Sequence, residues 1–187
     1  MQDRLPGEGT IALYRYSEKT DFDHYLALTK PPETRRFLDP VHSHNSVVEE
    51  LQFLHRSADD LHTMIYTIVR ESDHTHVGSV MLTSIDAGYH HRAKVSRLII
   101  APSERGKGIA QEALRSLSRF AFRHLRLRFL YCYVFETNVH GRKLFSKFGF
   151  EEYGRRPEWS WDGTNYVDEF EMRLTAERFH EIYRSGA

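Results

Sequence analysis

Apolar residues follow two rhythms along this chain. Short runs crowded with β-branched and aromatic residues fall at Thr10–Tyr16 (TIALYRY), His62–Arg70 (HTMIYTIVR), Val77–Ile85 (VGSVMLTSI) and Lys94–Ile100 (KVSRLII), and each predicts a strand. The turn-forming ESDHTH separates the second and third runs, which predicts a hairpin. LRFLYCYVF (Leu127–Phe135) is apolar enough to be a central strand. The other rhythm is helical. DFDHYLAL and NSVVEELQFLHRSADD predict helices, the second capped by Asn45 or Ser46 with Glu49 and Glu50 in its early turns. Ala110, Ala113, Leu114, Leu117 and Ala121 recur at helical spacing, with Gln111, Glu112, Arg115 and Arg119 on the opposite face. A second stripe, Gly141, Leu144, Phe145 and Phe148, stops at Gly149. Near the end, Asp162-Gly163 between two aromatic-rich runs is a hairpin signal. The order is strand, helices, three strands, helix, strand, helix, hairpin. It predicts one mixed α/β sheet with helices on both faces, not a regular βαβ repeat.

Composition narrows the partners. The 187 residues, with 40% hydrophobic and 28% charged, fit one globular domain spanning 1–187. Lys and Arg (26) balance Asp and Glu (26), so no global field favours nucleic acid or an anionic membrane, and any anion must be captured locally. The basic, aromatic RKLFSKFGFEEYGRR fits helix and strand interiors better than a nucleic-acid surface. Cys132 is the single cysteine, which excludes an internal disulfide and predicts a core role. No apolar leader or membrane-length run is visible, so the expectation is a cytoplasmic protein. The pairs His42/His44, His74/His76 and His90/His91 lack neighbouring carboxylates or cysteines at ligand spacing, and no metal is expected. Monomer and homodimer both stay open.

The chemistry concentrates in RLIIAPSERGKGIAQEAL. A strand delivers the chain to Pro102 and a helix begins near Gly108. Gly106 and Gly108 let a ligand approach the backbone, the helix N-terminus adds partial positive charge, and Arg105 and Lys107 add full charges. That combination is a cradle for a diphosphate. A dinucleotide fingerprint needs a third glycine where Gln111 stands, and a phosphate-binding GxxxxGK[ST] loop is absent.

Arg105-Gly106-Lys107-Gly108-Ile109-Ala110 resembles the R-x-x-G-x-[GA] signature of the GNAT superfamily of acetyl-CoA-dependent N-acetyltransferases. Leu98-Ile99-Ile100-Ala101-Pro102 resembles the strand that precedes it, Val77-Gly78 the short motif before the third strand, and Glu136–Phe150 the family's downstream N-x-x-[AS] segment. The likeness runs from about residue 63 onward. Gly154-Arg155-Arg156 and Tyr166-Val167-Asp168 look most like the subgroup that acetylates ribosomal-protein N-termini.

The resemblance implies a single GNAT-type α/β domain. Its mostly antiparallel sheet of about seven strands would be splayed at the cofactor site. It implies acetyl-CoA as acetyl donor, with pyrophosphate on Arg105, Gly106, Lys107, Gly108, Ile109 and Ala110, and the pantetheine arm along Leu98 and Ile100. The Ile100 N–H would be the oxyanion donor. Asn138 and Gly141 would lie near the arm, with Asn138 serving also as helix cap. A primary amine, a protein N-terminus or a small-molecule amine such as a polyamine, aminoglycoside or amino-sugar, would attack directly in a ternary complex. Three positions where the family places proton-handling groups hold Phe145, Gly141 and Val95, so a catalytically silent acyl-CoA-binding module is the alternative. Tyr131 and Tyr133, on one face of a strand, and Glu136 and His140 are substitutes, with Tyr133 the candidate carried forward.

Overall fold

A computed structural model describes residues 4–183 apart from 6, 8, 39–45 and 163. The chain opens with β1 (Arg4–Leu5) and β2 (Ile11–Arg15), then α1 (Glu18–Thr29), α2 (Pro32–Arg35) and α3 (Val47–Asp59). Strands β3 (Met64–Arg70), β4 (Thr75–Asp86) and β5 (Arg92–Ile100) follow, with a short 3₁₀ turn at Pro102–Glu104 before α4 (Ile109–Arg123). The rest is β6 (Phe129–Phe135), α5 (Val139–Phe148), β7 (Glu151–Trp161), β8 (Tyr166–Thr175) and α6 (Ala176–Ile182).

The strands form one sheet in the order β1-β2-β3-β4-β5-β6-β8-β7, eight among the described residues rather than about seven. The extra strand is β1, two residues that pair with Leu13 and Tyr14 and are too short to show a period in sequence. The four-residue α2 and the seven-residue α6 escaped for the same reason. Every pairing is antiparallel except β5–β6. Of the two residues proposed to cap α3, Asn45 lies outside the described residues. Ser46 caps the helix, its hydroxyl accepting from the Glu49 N–H (3.2 Å) while Glu49 reaches back to the Ser46 N–H (3.0 Å). Gly149 ends α5 at φ +116, where a side chain would be strained. Gly163 and the pair His42/His44 lie outside the described residues.

The two faces of the sheet are covered differently. Helices α4, α5 and α6 cover one face, where Leu114, Leu117, Leu82, Val95, Leu130, Phe148, Leu174 and Phe179 share a single core. On the other face α1 and α3 cover β3 and β4 through Tyr25, Leu54, Ile65 and Met81. Beyond β5 that second face carries Tyr131 and Tyr133 of β6, opposite Arg173 and Glu171 of β8, and these stay partly exposed. Cys132 points the other way, 1% exposed, and burial pushes its thiol pKa up, so it is a core residue.

Leu117 is fully buried in the larger core. Leu117→Ala is expected to destabilise the protein by about 2–5 kcal/mol, read as a lower urea midpoint at unchanged slope.

Candidate active site

β5 pairs with β6 only over Arg92↔Phe129, Ala93↔Leu130 and Lys94↔Tyr131, after which the two strands part. The parting coincides with a bulge. On the other side of β5, Met81 pairs with Ser96 and Ser79 with Ile99, so Arg97 and Leu98 together face the single residue Val80. Arg97 takes φ +46, the left-handed region, in the middle of a strand. For a non-glycine residue that conformation costs about 1–2 kcal/mol.

The bulge reverses the alternation downstream. Ser96 lies on the α1 and α3 side with its partner Met81, and Arg97 lies there too. Leu98 and Ile100 therefore pack toward the α4 core, and Ile99 joins Leu28 and Leu38 on the other side. Backbone direction follows the same parity. The Ala101 N–H donates to the Val77 carbonyl (2.9 Å), which places Ile99 in the ladder and turns the N–H groups of Leu98 and Ile100 into the gap between β5 and β6. The Ile100 carbonyl on that edge accepts from Arg105 Nε (3.1 Å).

The glycine loop follows β5 and its 3₁₀ turn, at the end where the gap opens. Gly106 and Gly108 adopt φ +79 and +85, and a Cβ built on either would meet nothing within 4 Å. Their requirement for glycine is conformational, and the space beside them is open. Gly108 caps α4; its carbonyl accepts from Gln111 and Glu112, so the N–H groups of Gly108, Ile109 and Ala110 have no partner inside the helix. Three amides converging at a helix N-terminus suit an anion. The cations are held more tightly than the sequence implied. Arg105 donates to Thr34 Oγ1 of α2 (3.1 Å) as well as to Ile100, and Lys107 pairs with Glu104 (3.1 Å), itself paired with Arg70 (2.8 Å). Lys107 remains half exposed beside the loop.

At the same end, following β6, Asn138 caps α5 by accepting from the Gly141 N–H (2.9 Å). Its Oδ1 is thereby committed, leaving Nδ2 as the donor for a ligand. A Cβ on Gly141 would collide with the Asn138 side chain, so the residue makes room for the cap. Phe145 is buried against Phe150 (5.0 Å between centroids), and Val95 belongs to the α4 core. These three positions have structural work and no titratable group.

The face covered by α1 and α3 is charged where β5 and β6 part. Tyr133 lies beneath the Arg156 guanidinium (3.7 Å to the ring centroid) and near Lys94 (5.1 Å). Burial, reinforced by Glu171, raises its phenol pKa despite Arg156, so it keeps its proton through neutral pH. Glu169 is buried and pairs with Arg156 while accepting from Ser160 Oγ (2.7 Å). Across the gap, Arg97 pairs with the buried Glu50 of α3 (2.6 Å), donates to the Tyr25 hydroxyl of α1 and stacks on Phe53 (4.1 Å). Both pairs escaped the sequence reading. The available signals were a lone arginine inside the apolar run KVSRLII and a glutamate one helical turn before Leu54. His140 and Glu136 stand at the start of α5 and before it; Glu136 lies 3.8 Å from Arg155. Trp161 and Tyr166 form a cross-strand edge-to-face pair (5.2 Å) near the hairpin tip. Among the described residues no group of three His, Cys, Asp or Glu residues could hold a metal ion.

The sequence family described as acetyltransferase (GNAT) domain matches residues 11–151. A curated relative, spermidine N(1)-acetyltransferase of Vibrio cholerae serotype O1, is 28% identical over 112 residues, 60% of this chain and 64% of the relative, so the match spans less than two thirds of that protein. A crystal structure of spermidine N-acetyltransferase from Vibrio cholerae in complex with CoA and spermine superposes with a TM-score of 0.81 at 21% identity, covering 92% of this chain and 99% of that one. A structure of spermidine/spermine N-acetyltransferase from the same organism with manganese ions gives 0.75 at 21% identity, covering 95% and 98%. At such identities the likeness is one of fold. None of these relatives is a ribosomal-protein acetyltransferase, which corrects the subgroup expected from the C-terminal hairpin. The hairpin residues behind that expectation have local roles. Arg155 pairs with Asp168 and Arg156 with Glu169 across β7 and β8, and the Glu158 N–H together with Arg155 holds the Asp168 carboxyl below its usual range. No helix among the described residues is long and apolar enough to cross a membrane.

Gly108→Glu places a carboxylate at the amide cradle, and the left-handed φ adds about 1–2 kcal/mol of strain. Calorimetry is expected to show loss of coenzyme A binding, with Gly108→Ala, which carries the strain but no charge, retaining it. Equal binding by wild type and Gly108→Glu would remove the phosphates from this loop.

Proposed function

Since the chain belongs to the acetyltransferase (GNAT) domain family, we propose that it moves an acetyl group from acetyl-CoA to a primary amine of a polyamine. The observation that carries the acetyl-transfer reading is the β5 edge. There the N–H groups of Leu98 and Ile100 are turned into a gap that begins beyond Lys94 and opens toward the ends of both strands, where the Gly106–Ala110 amides follow β5 and Asn138 follows β6. An extended arm of amide groups fits such an edge as an added strand. The polyamine acceptor is favoured by the relatives, whose names specify spermidine and one of which was crystallised with spermine.

Each residue has a task in this reading. The amides of Gly108, Ile109 and Ala110 bind the pyrophosphate and Lys107 adds charge beside them. The Ile100 N–H donates to the thioester oxygen as negative charge builds on it. A single preorganised donor of this kind is worth about 10²–10³ in rate. The amine nitrogen forms the new C–N bond as the C–S bond breaks; one proton leaves nitrogen and one is taken up at sulfur. Tyr133, protonated through neutral pH on the face covered by α1 and α3, is the phenol assigned to deliver the proton at sulfur. Cys132 takes no part, because its thiol is buried on the opposite face.

Incubation with acetyl-CoA and a panel of spermidine, spermine, an aminoglycoside and a peptide with a free N-terminus, read by mass spectrometry, is expected to give acetylated spermidine or spermine. Acetylation confined to the peptide would overturn the polyamine reading, and coenzyme A binding without any product would make the chain a silent binding module. The Ile100 assignment has its own test. Proline at 100 deletes the N–H that faces the gap and leaves the neighbouring ladder bond from Ala101 in place. Ile100→Pro is expected to lower kcat by about 10²–10³, and Ile100→Val to stay near wild type.

A further inference from the structure

We infer that Arg97 is a positioning residue: its buried tie to Glu50 and Tyr25 holds β5 in the bulge that turns the Ile100 N–H into the acyl gap. The inference rests on the assignment of the Ile100 edge to the thioester. Nothing in the family motifs singles out this position, which lies upstream of the Leu98–Pro102 run.

Parity supplies the first part. Without the extra residue opposite Val80, the strand after Ser96 would continue its alternation. Ile99 would then face the gap, and Ile100 would bond to β4. Only the two-for-one count delivers Ile100 to the gap, and that count depends on Arg97 staying at φ +46. A side chain resists this conformation, so something must hold it.

Two helices hold it. The Arg97 side chain is 7% exposed and the Glu50 side chain 6%. Arg97 Nη1 donates to Glu50 Oε1 at 2.6 Å and to the Tyr25 hydroxyl, and Phe53 covers the guanidinium plane at 4.1 Å. The three partners come from two helices, α1 and α3, that pack on one face of the sheet over Ile65 and Met81. The guanidinium cannot follow the chain into the ordinary strand alternation, because residue 97 would then point at the α4 core and strip both charges of their partner. A buried carboxylate or guanidinium left alone is strongly unfavourable. The ion pair therefore selects the bulged register over the regular one. It also fixes α1 and α3 to the strand segment assigned to the acyl group.

Two variants with a common background separate this role from simple stabilisation. Arg97→Ala/Glu50→Gln and Arg97→Gly/Glu50→Gln both lack the ion pair and leave no buried charge uncompensated. They differ only in the Cβ at 97. Within a regular strand glycine is the poorer residue, whereas at a left-handed position it is the better one. The kcat per binding-competent molecule, with the competent fraction counted by calorimetric titration with coenzyme A, is expected to be at least about fivefold higher for the glycine variant than for the alanine variant. An alanine variant as active as the glycine variant, or more active, overturns the inference. The two readings can fail separately. Near-wild-type turnover by Ile100→Pro removes the oxyanion role of the Ile100 edge, whereas loss of turnover there combined with equal activity of the two double variants removes only the role of Arg97.

Discussion

Two neighbouring parallel strands that pair at one end and part at the other create a slot only if the strand backbone on one wall offers its amides to it. In this chain that condition is met by a single left-handed residue, Arg97, and the one-residue slip it introduces against Val80. The slip has consequences on three levels. It decides which amides enter the slot, Leu98 and Ile100 rather than Ile99. It sends the side chains of Leu98 and Ile100 to the α4 core and that of Ile99 to the contact with Leu28 and Leu38. It also lets an arginine leave an apolar strand toward Glu50, where a regular strand would have buried it among Leu114 and Leu117. Local strain of about 1–2 kcal/mol is small beside the cost of leaving either charge unpaired in the interior, about 3–5 kcal/mol. The ion pair wins.

The fold was legible in the sequence where periodicity runs long. The α4 stripe, the β3–β4 hairpin and the β7–β8 hairpin all appear at the places their apolar spacing predicts, and Gly149 stops α5 as its position implies. Elements of two to seven residues, β1, α2 and α6, carry too few positions to show a period. The cradle was legible for a different reason. Gly106 and Gly108 are constrained by their own φ angles, a local property that residue type records. Arg97 and Glu50 are 47 positions apart, and their meeting depends on how α3 lies on the sheet. The hairpin shows the opposite failure. Arg155, Arg156 and Asp168 invited a reading in terms of substrate, yet their charges are spent across β7 and β8.

The three positions that lack proton-handling groups are explained by their neighbours. Phe145 of α5 meets Phe150 edge-to-face, Gly141 clears space for the Asn138 cap, and Val95 sits among the residues under α4. An ionisable group at Val95 would be buried without a partner, and a side chain at Gly141 would break the cap that orients Asn138. In the proposed reaction the proton donor is therefore assigned to the opposite face of β6. Tyr133 stands there between the splay and the Arg156–Glu169 pair, and the same partial burial that raises its pKa keeps its hydroxyl a donor. A donor is what a departing thiolate requires. The attacking amine, an ammonium at neutral pH, gives up one proton before its lone pair can attack and a second once the new C–N bond has made it acidic, and the second loss, to water, demands no dedicated base of the protein.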